Sequence, residues 1–297
     1  MELEQFVEKT RKALQDYYGK ETQVIVNQVT KNNGIILHGL TIMPKDKNVA
    51  PTIYMNSFYI QYEEGTTFAN LFKQITDVYE QSKPENDIDM KFFLDYKQAK
   101  KKIVYKLINY DKNRVLLDEI PHVKYLDLAI VFYYLFVHDA IGGTASILIR
   151  NSHCKSWQVS TEDIYADAKQ NTPCLLKGEF INMETLIQEL SGNQDSAIEE
   201  ERMPMYILTN HSKMHGAACI LYPDMVKQFS EQLGVDLYIL PSSIHEVILV
   251  PVSKVMGVKE LADMVQEVNE TQVEEEEILS NHIYRYSRED ESISKVS

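Results

Sequence analysis

The strongest constraint on the fold is a long apolar run near the middle of the chain, Val123–Val137, which is rich in β-branched and aromatic residues. Its most apolar part, Leu126–Val137, has about 12 residues, fewer than the roughly 20 that a membrane-spanning helix needs. This composition favours a buried strand over a helix. Gly142 and Gly143 predict a turn toward a partner strand over Thr144–Arg150. We expect this pair of strands at the centre of the molecule.

The residues before this run predict a helix followed by an antiparallel meander. Apolar residues at helical spacing predict a helix over residues 2–18, which Gly19 ends. Asn33-Gly34 supplies the positive φ angles that a tight hairpin demands, so it predicts a turn between two strands. The strand-like runs are Thr22–Thr30, Ile35–Met43 and Thr52–Tyr62.

The remaining residues predict further helices and strands. One helix begins at Thr66 or Thr67, and another begins at Ser160 and ends before Pro173, because the residue preceding a proline disfavours the helical region. The other expected helices cover Asp95–Lys102, Met183–Leu190, Pro223–Leu233 and Val258–Asn269. The other expected strands cover Ile103–Asn109, Met205–Thr209, Ala217–Tyr222, Asp236–Leu240, Val247–Pro251 and, before a frayed tail, Ile283–Tyr286.

Together these elements predict an α+β protein, with an N-terminal helix plus antiparallel meander, then a mixed sheet with helices packed on one face. We expect a helix plus β-meander subdomain over residues 1–120, an α+β subdomain over residues 121–273 and an acidic extension over residues 274–297. A single merged domain is the alternative. The polar segment Asn193–Arg202 predicts a mobile loop or a weak domain boundary.

The charge balance excludes several classes of partner. The formal net charge is −14, and residues 259–297 hold 11 acidic and four basic residues, about half of the excess. An acidic surface repels nucleic-acid phosphates and anionic lipids, so we expect neither nucleic-acid binding nor a membrane-surface role. It favours a protein partner with a basic surface, or, more narrowly, mimicry of DNA. The one basic cluster, five lysines over residues 97–106, predicts a solvated helix face rather than an anion site.

Cysteine use and the first residues indicate a cytoplasmic protein. The three cysteines, Cys154, Cys174 and Cys219, are an odd number without C-x-x-C spacing, which disfavours a disulfide framework. The sequence opens with acidic residues and lacks the basic and apolar regions of a signal peptide. Glycine-rich phosphate-binding motifs are also missing, so we expect no cofactor.

The densest polar cluster suggests a metal site as one hypothesis. His211 and His215 lie in one predicted loop, and His245 with Glu246 follows about 30 residues later. Histidine and carboxylate side chains are common zinc ligands, so His211, His215 and His245 are the candidate metal ligands. The H-E-x-x-H pattern is lacking, and a loop gives two histidines four residues apart no fixed geometry.

The same turn suggests a nucleophile and its base as a second hypothesis. Ser243 and His245, two residues apart on an extended segment, point the same way, and Glu246 is the neighbouring acid. The G-x-S-x-G elbow that exposes a hydrolase serine is absent. The structural alternative is that the Ser242 and Ser243 hydroxyls hydrogen-bond the backbone of the turn.

Several strings together give the chain a family resemblance. They are Leu126–Tyr133, Asn171–Pro173, Leu240–Val247 and Leu279–Tyr284, of which the Leu-Pro-Ser-Ser-Ile-His-Glu-Val string is the most specific. Through them the chain resembles, over nearly its whole length, a family from anaerobic low-GC Gram-positive bacteria known as domain of unknown function 5688. The resemblance implies a bacterial cytosolic protein and a single evolutionary unit, and it implies no activity.

Two functions follow as hypotheses. The first is a non-catalytic protein-interaction or accessory protein, favoured by the acidic surface, by 18 tyrosines and by the lack of enzyme motifs. The alternative is a small hydrolase or metal-dependent enzyme centred on the His211/His215 loop and the Ser243-His245-Glu246 turn.

Overall fold

The structure consists of helices and antiparallel sheets, which confirms the predicted α+β class. The computed structural model describes residues 1–84, 91–138, 143–191, 204–252 and 257–296. The chain divides into two compact units, Met1–Leu94 with Phe136–Ala145 and Asp95–Leu135 with Ser146–Ser297. The subdomain boundaries expected near residues 120 and 273 stay a prediction.

The first unit combines an antiparallel three-stranded sheet, in the order β1-β2-β3, with helices. The helix-plus-meander prediction is confirmed here: Gly19, at φ 75°, follows α1, and Asn33 and Gly34 take the positive φ angles expected of the hairpin turn. The elements are α1 (Leu3–Tyr18), β1 (Thr22–Thr30), β2 (Ile36–Pro44), β3 (Thr52–Tyr54), α2 (Asn56–Glu63), α3 (Phe68–Ser82) and α4 (Lys91–Leu94).

The predicted strand Thr52–Tyr62 is wrong beyond Tyr54, where the chain turns into α2. The Asn56 side chain accepts a hydrogen bond from the backbone N–H of His38 at 2.9 Å. This N–H of β2 is therefore bonded by a side chain and not by the backbone of a longer β3. Phe58, Tyr59 and Tyr62 then pack against the core from one side of α2, a spacing that fits a helix and not a strand, where neighbouring side chains point to opposite faces. Their aromatic character had favoured the strand.

Two further antiparallel sheets among the described residues belong to the second unit, except for residues 136–138 and 143–145 of two of their strands, which fall in the first unit. One has the order β4-β6-β5 with β7 also on β6, and the other has the order β13-β12-β10-β11-β9-β8. The elements are α5 (Tyr96–Ala99), β4 (Ile103–Asn109), α6 (Arg114–Glu119), β5 (His122–Tyr125), β6 (Leu128–His138), β7 (Gly143–Leu148), α7 (Asn151–Trp157), α8 (Thr161–Leu175), β8 (Gly178–Asn182), α9 (Met183–Ser191), β9 (Tyr206–Asn210), α10 (Met225–Leu233), β10 (Leu237–Leu240), β11 (Val247–Pro251), α11 (Val258–Thr271), β12 (Tyr284–Ser287) and β13 (Ser292–Lys295).

The apolar run over Val123–Val137 is two strands, not the single strand expected. Leu126 takes a positive φ of 54°, and the chain reverses there so that β5 pairs antiparallel with β6. A non-glycine residue rarely adopts this conformation, which is why the turn leaves no sequence signal. The sheet expected to be mixed is antiparallel in every strand pair whose register is described.

The helix from Ser160 continues through Pro173 instead of ending before it. Ser160 caps the helix as expected, accepting from the backbone N–H of Asp163 at 3.2 Å. Tertiary hydrogen bonds from Asn171 and Thr172 hold the last turn against β4: the Thr172 hydroxyl accepts from the backbone N–H of Tyr105 at 3.1 Å. These contacts offset the local preference of a residue that precedes proline.

Two predictions fail near the end of the chain. Ala217–Tyr222 is not a strand, because residues Gly216–Leu221 form a buried 3-10 helix. The tail after Tyr286 is not frayed, since β13 pairs with β12 over four residue pairs. The predicted loop Asn193–Arg202 lies outside the described residues, as does Gly142 of the predicted turn. Within the described ranges, no helix combines the length and the apolarity that crossing a membrane requires.

Candidate functional site

Three loop segments of the second unit join through backbone hydrogen bonds and place most of the predicted site residues. The turn over residues 241–246 lies in the middle. On one side, Ala217 N–H donates to Ile244 O at 3.3 Å. On the other side, Ile244 N–H donates to Glu277 O at 2.9 Å, and Leu279 N–H donates to Ser242 O at 3.1 Å. The turn is therefore held from both sides.

Gly216 permits the close approach of the 3-10 helix to β9 and to the turn over residues 241–246. A Cβ atom on Gly216 would lie 2.5 Å from His245 O and 2.8 Å from Asn210 N, and it would overlap Thr209 Oγ1. The Thr209 hydroxyl donates to His245 O at 2.9 Å. Any side chain at position 216 would push the 3-10 helix away from β9 and from the turn.

His215 and His245 meet at this junction. Their rings are stacked, with centroids 5.7 Å apart and an interplanar angle of 11°. The Nδ1 atom of His245 accepts from the backbone N–H of His215 at 3.3 Å, and its Nε2 lies 3.3 Å from Glu277 Oε1. Because Nδ1 is an acceptor, the ring proton of neutral His245 is on Nε2, facing Glu277. Both ring nitrogens of His245 thus connect separate segments.

His215 sits in an environment that excludes its charged form. Burial, together with smaller effects of the neighbouring Lys106 and His245, lowers the pKa of His215 to about 2. The Lys106 Nζ lies 3.4 Å from the Nε2 of His215, and the Tyr133 ring contacts the imidazole edge to face, with centroids 5.3 Å apart. The Nδ1 of His215 is buried without a hydrogen-bond partner. An ammonium group beside the ring is a poor neighbour for a metal cation.

Ser243 and Glu246 form a contact that does not resemble a nucleophile and its base. The Ser243 hydroxyl oxygen accepts from the backbone N–H of His245 at 3.0 Å, and the hydroxyl bonds the Glu246 carboxylate. Burial raises the pKa of Glu246, and the nearby Glu277 adds to this, while His245 and Ser243 act in the opposite sense. The hydroxyl thus makes one hydrogen bond to the backbone of the turn, of the kind that the structural alternative expects.

The third metal candidate, His211, is not brought to this junction. Its Nδ1 lies 2.9 Å from Glu179 Oε2, on the neighbouring strand β8. Among the residues that the structure describes, no three His, Cys, Asp or Glu side chains converge with the geometry of a metal site. The arrangement places His215 with His245 and leaves His211 in a separate pair.

A second polar cluster of this unit was missed by the sequence analysis. Asp127, in the turn between β5 and β6, accepts from the Ser280 hydroxyl at 2.7 Å and from the Tyr284 hydroxyl at 2.8 Å. Its Oδ2 also lies 3.0 Å from His282 Nδ1. Although burial opposes ionisation, the hydrogen bonds from Ser280 and Tyr284, together with His282, lower the pKa of Asp127 below its usual range.

A sequence signal for this cluster exists. Asp127 is the one acidic residue inside the apolar run Leu126–Val137, and a buried carboxylate needs partners. Its partners lie 153 to 157 residues away, so spacing alone could not identify them. Asp127 and the Ser280-x-His282-x-Tyr284 pattern belong to two of the strings that carry the family resemblance, and backbone bonds join the second of these strings to Pro241 and Ser242.

The fold and these clusters define an α+β protein with helices on antiparallel sheets and with two polar clusters that join distant segments of one unit. The chain belongs to the family of unknown function DUF5688, whose sequence profile matches residues 3–288. This match confirms the resemblance inferred from the strings. No curated protein and no solved structure matches the chain significantly.

Proposed function

We propose that this chain is a protein-interaction or accessory protein that binds a partner with a basic surface through the acidic face of α11. The observation that carries the proposal is the spacing of the acidic residues on this helix. Positions three and four apart lie on one side of a helix. The stripe extends from the first turn of α11 to the residues just after it and consists of Glu260, Asp263, Glu267, Glu270 and Glu274, all exposed.

The opposite face of α11 anchors the stripe. Leu261 and Val265 are buried and pack with Leu240 and Val250 of the six-stranded sheet and with Ile283, which precedes β12. Burying two such side chains contributes about 3–6 kcal/mol, enough to hold the helix in place. Lys259 is the one basic residue on α11, so few cations neutralise the stripe from within the helix.

The contacts of Ser243 and His245 support this proposal over the alternative of a small hydrolase or metal-dependent enzyme centred on them. Serine-hydrolase catalysis requires the serine hydroxyl on a histidine ring nitrogen, and a metal site requires three or more convergent ligands, which the described residues do not provide. The Ser243 hydroxyl instead contacts Glu246, and both ring nitrogens of His245 have other partners. The proposal includes a cytosolic location, which the three free cysteines support.

Charge reversal on the stripe tests the proposal. The test variant replaces Asp263, Glu267 and Glu270 by Lys, and a matched variant replaces the exposed Asp16, Glu64 and Asp77 by Lys, with the same change in net charge. The partner is purified from a lysate on the unaltered protein, identified and re-tested as a pure component by calorimetry. We expect the stripe variant to weaken this binding at least about 100-fold and the matched variant to weaken it little.

Salt adds an independent readout, because ions screen exposed charges over about 10 Å at 0.1 M. Binding by the unaltered protein and the matched variant should weaken steeply as salt rises. Equal weakening by both variants would refute a role for α11. Recovery of no stoichiometric partner by the unaltered protein would refute the interaction function itself.

A further inference from the structure

The strand β1 forms one edge of the three-stranded sheet, and no strand pairs with its outer side among the described residues. It runs for nine residues in unbroken register with β2, so no bulge bends it. Its sequence, TQVIVNQVT, contains neither a charged residue nor a proline. Proteins protect edge strands with lysines, prolines, bulges or short length, because an open edge pairs with other chains. β1 has none of these protections.

Other edge strands of the described sheets differ from β1 in this respect. The strands β4, β5, β8 and β13 each carry a charged residue, in that order Lys106, Lys124, Glu179 and Lys295. The opposite edge of the same sheet, β3, has only three residues. The lysine that follows β1, Lys31, lies over the Tyr54 ring of β3, with Nζ 4.4 Å from the centroid. Its charge is therefore held away from the open edge.

The backbone groups of alternate β1 residues point to β2 and to the open edge. Lys31 N–H donates to Ile35 O at 2.7 Å in the register of the hairpin, so the odd-numbered residues bond β2. The even-numbered residues face outward, and the Gln15 side chain occupies the first of them. It accepts from Val24 N–H at 3.2 Å and donates to Thr22 O at 2.8 Å.

Three consecutive outward residues remain beyond the reach of Gln15: Val26, Gln28 and Thr30. Their side chains are exposed, and among the described residues none of their backbone groups has a partner on the outer side of β1. Backbone N–H and C=O groups are strong hydrogen-bonding groups, and a further strand would satisfy these in the geometry of a sheet. The open part of the edge is therefore this three-residue ladder.

The same segment of a second copy matches this ladder. Antiparallel pairing about a twofold axis at Gln28 places Val26 opposite Thr30 of the second copy, and each such pair exchanges two backbone hydrogen bonds. Two chains of net charge −14 repel each other over most of their surfaces, whereas an uncharged strand pairs with itself without that repulsion. A free peptide would lose conformational entropy on pairing, while β1 is already ordered by β2.

We propose that this protein forms a twofold dimer through β1, which joins two three-stranded sheets into one continuous sheet. The dimer uses both β1 edges, and β3 is too short to add another copy, so the assembly closes. The interface goes beyond the proposed interaction function, because it uses none of the acidic residues of α11.

Sedimentation equilibrium of the full chain at about 1–100 µM tests the dimer, whose small interface predicts a Kd within about this range. Gln28→Lys places two like charges opposite each other at the axis, so the Kd should rise at least about tenfold. Gln74→Lys, the same change at an exposed position of α3, is the matched control and should dimerise like the unaltered protein. Circular dichroism checks that both variants fold.

Mixing two charge variants tests the position of the axis. Gln28→Glu should dissociate as Gln28→Lys does, because its carboxylates also face each other. An equimolar mixture of the two should recover the dimer, since opposite charges then meet at the axis. Unaltered protein that stays monomeric at 100 µM, or equal weakening by Gln28→Lys and Gln74→Lys, would overturn the proposed dimer. A mixture that stays as dissociated as its components would overturn the twofold pairing at Gln28.

Discussion

At the scale of single residues, burial decides which charge states the His215–His245 junction tolerates. His215 is neutral at physiological pH because burial and the neighbouring Lys106 oppose its protonation. Folding raises the pKa of Glu246, because burial opposes ionisation of its carboxyl group more than His245 and Ser243 promote it. The junction is therefore a place where added charge costs stability.

Glu246→Gln should consequently make the protein more stable at neutral pH. A carboxyl whose pKa is raised by folding contributes stability that is present below its unfolded pKa, about 4.3, and that is lost as pH rises through the folded pKa. The amide keeps an acceptor for Ser243 and has no charge to bury. Urea unfolding should show the variant gaining stability relative to the unaltered protein between about pH 4 and pH 7.

Glu64→Gln is the matched control, because Glu64 is exposed and lies in a helix-capping position of the first unit. Substitution at this exposed position should change the free energy of unfolding by less than about 0.5 kcal/mol. A Glu246→Gln variant that lost stability as pH rose would show that the carboxylate of Glu246 is favoured by folding.

At the scale of helices and strands, local pattern predicted most elements and failed where a tertiary contact or a rare backbone angle decided the outcome. Ser160 and Gly19 marked helix ends correctly, because caps act within one turn. The helix end predicted before Pro173 was wrong, since the hydrogen bonds that hold this turn join it to Lys100, just before β4, and to Ile103 and Tyr105 of β4, about 70 residues away in the chain. The turn between β5 and β6 could not be predicted, because the residue that takes the positive φ there, Leu126, is apolar.

The last turn of α8 gives a prediction at this scale. Asn171 Nδ2 donates to Lys100 O at 2.7 Å and to Ile103 O at 2.9 Å, where β4 begins. Asn171→Ala leaves both carbonyls without this donor, so we expect a loss of about 1–3 kcal/mol in the free energy of unfolding, measured in urea. Gln170→Ala, at the exposed neighbouring position, should change it by less than about 0.5 kcal/mol. Equal losses would show that the Asn171 bonds contribute little.

At the scale of the whole molecule, the candidate site could be predicted only in part. Ser243, His245 and Glu246 are close in sequence, and a turn between two predicted strands placed them together correctly. The pairing of His215 with His245 required the 3-10 helix that Gly216 allows, and Asp127 met its partners only through the sheet order. Contacts between residues more than 150 positions apart depend on topology, which one sequence does not encode in any local pattern.

The division into two units gives the last prediction. The apolar cluster around Leu71 is drawn from residues 3–79, all in the first unit, and Leu71 is fully buried there. Leu71→Ala removes packing worth about 2–5 kcal/mol. Because opening free energies differ between cooperative units, hydrogen exchange should accelerate in α1, β1, β2 and α3 and stay unchanged in β9, β10 and β11. Val78→Ala, at a position of α3 that is 40% exposed, should accelerate neither set. Acceleration of both sets by Leu71→Ala would show that the two units unfold as one.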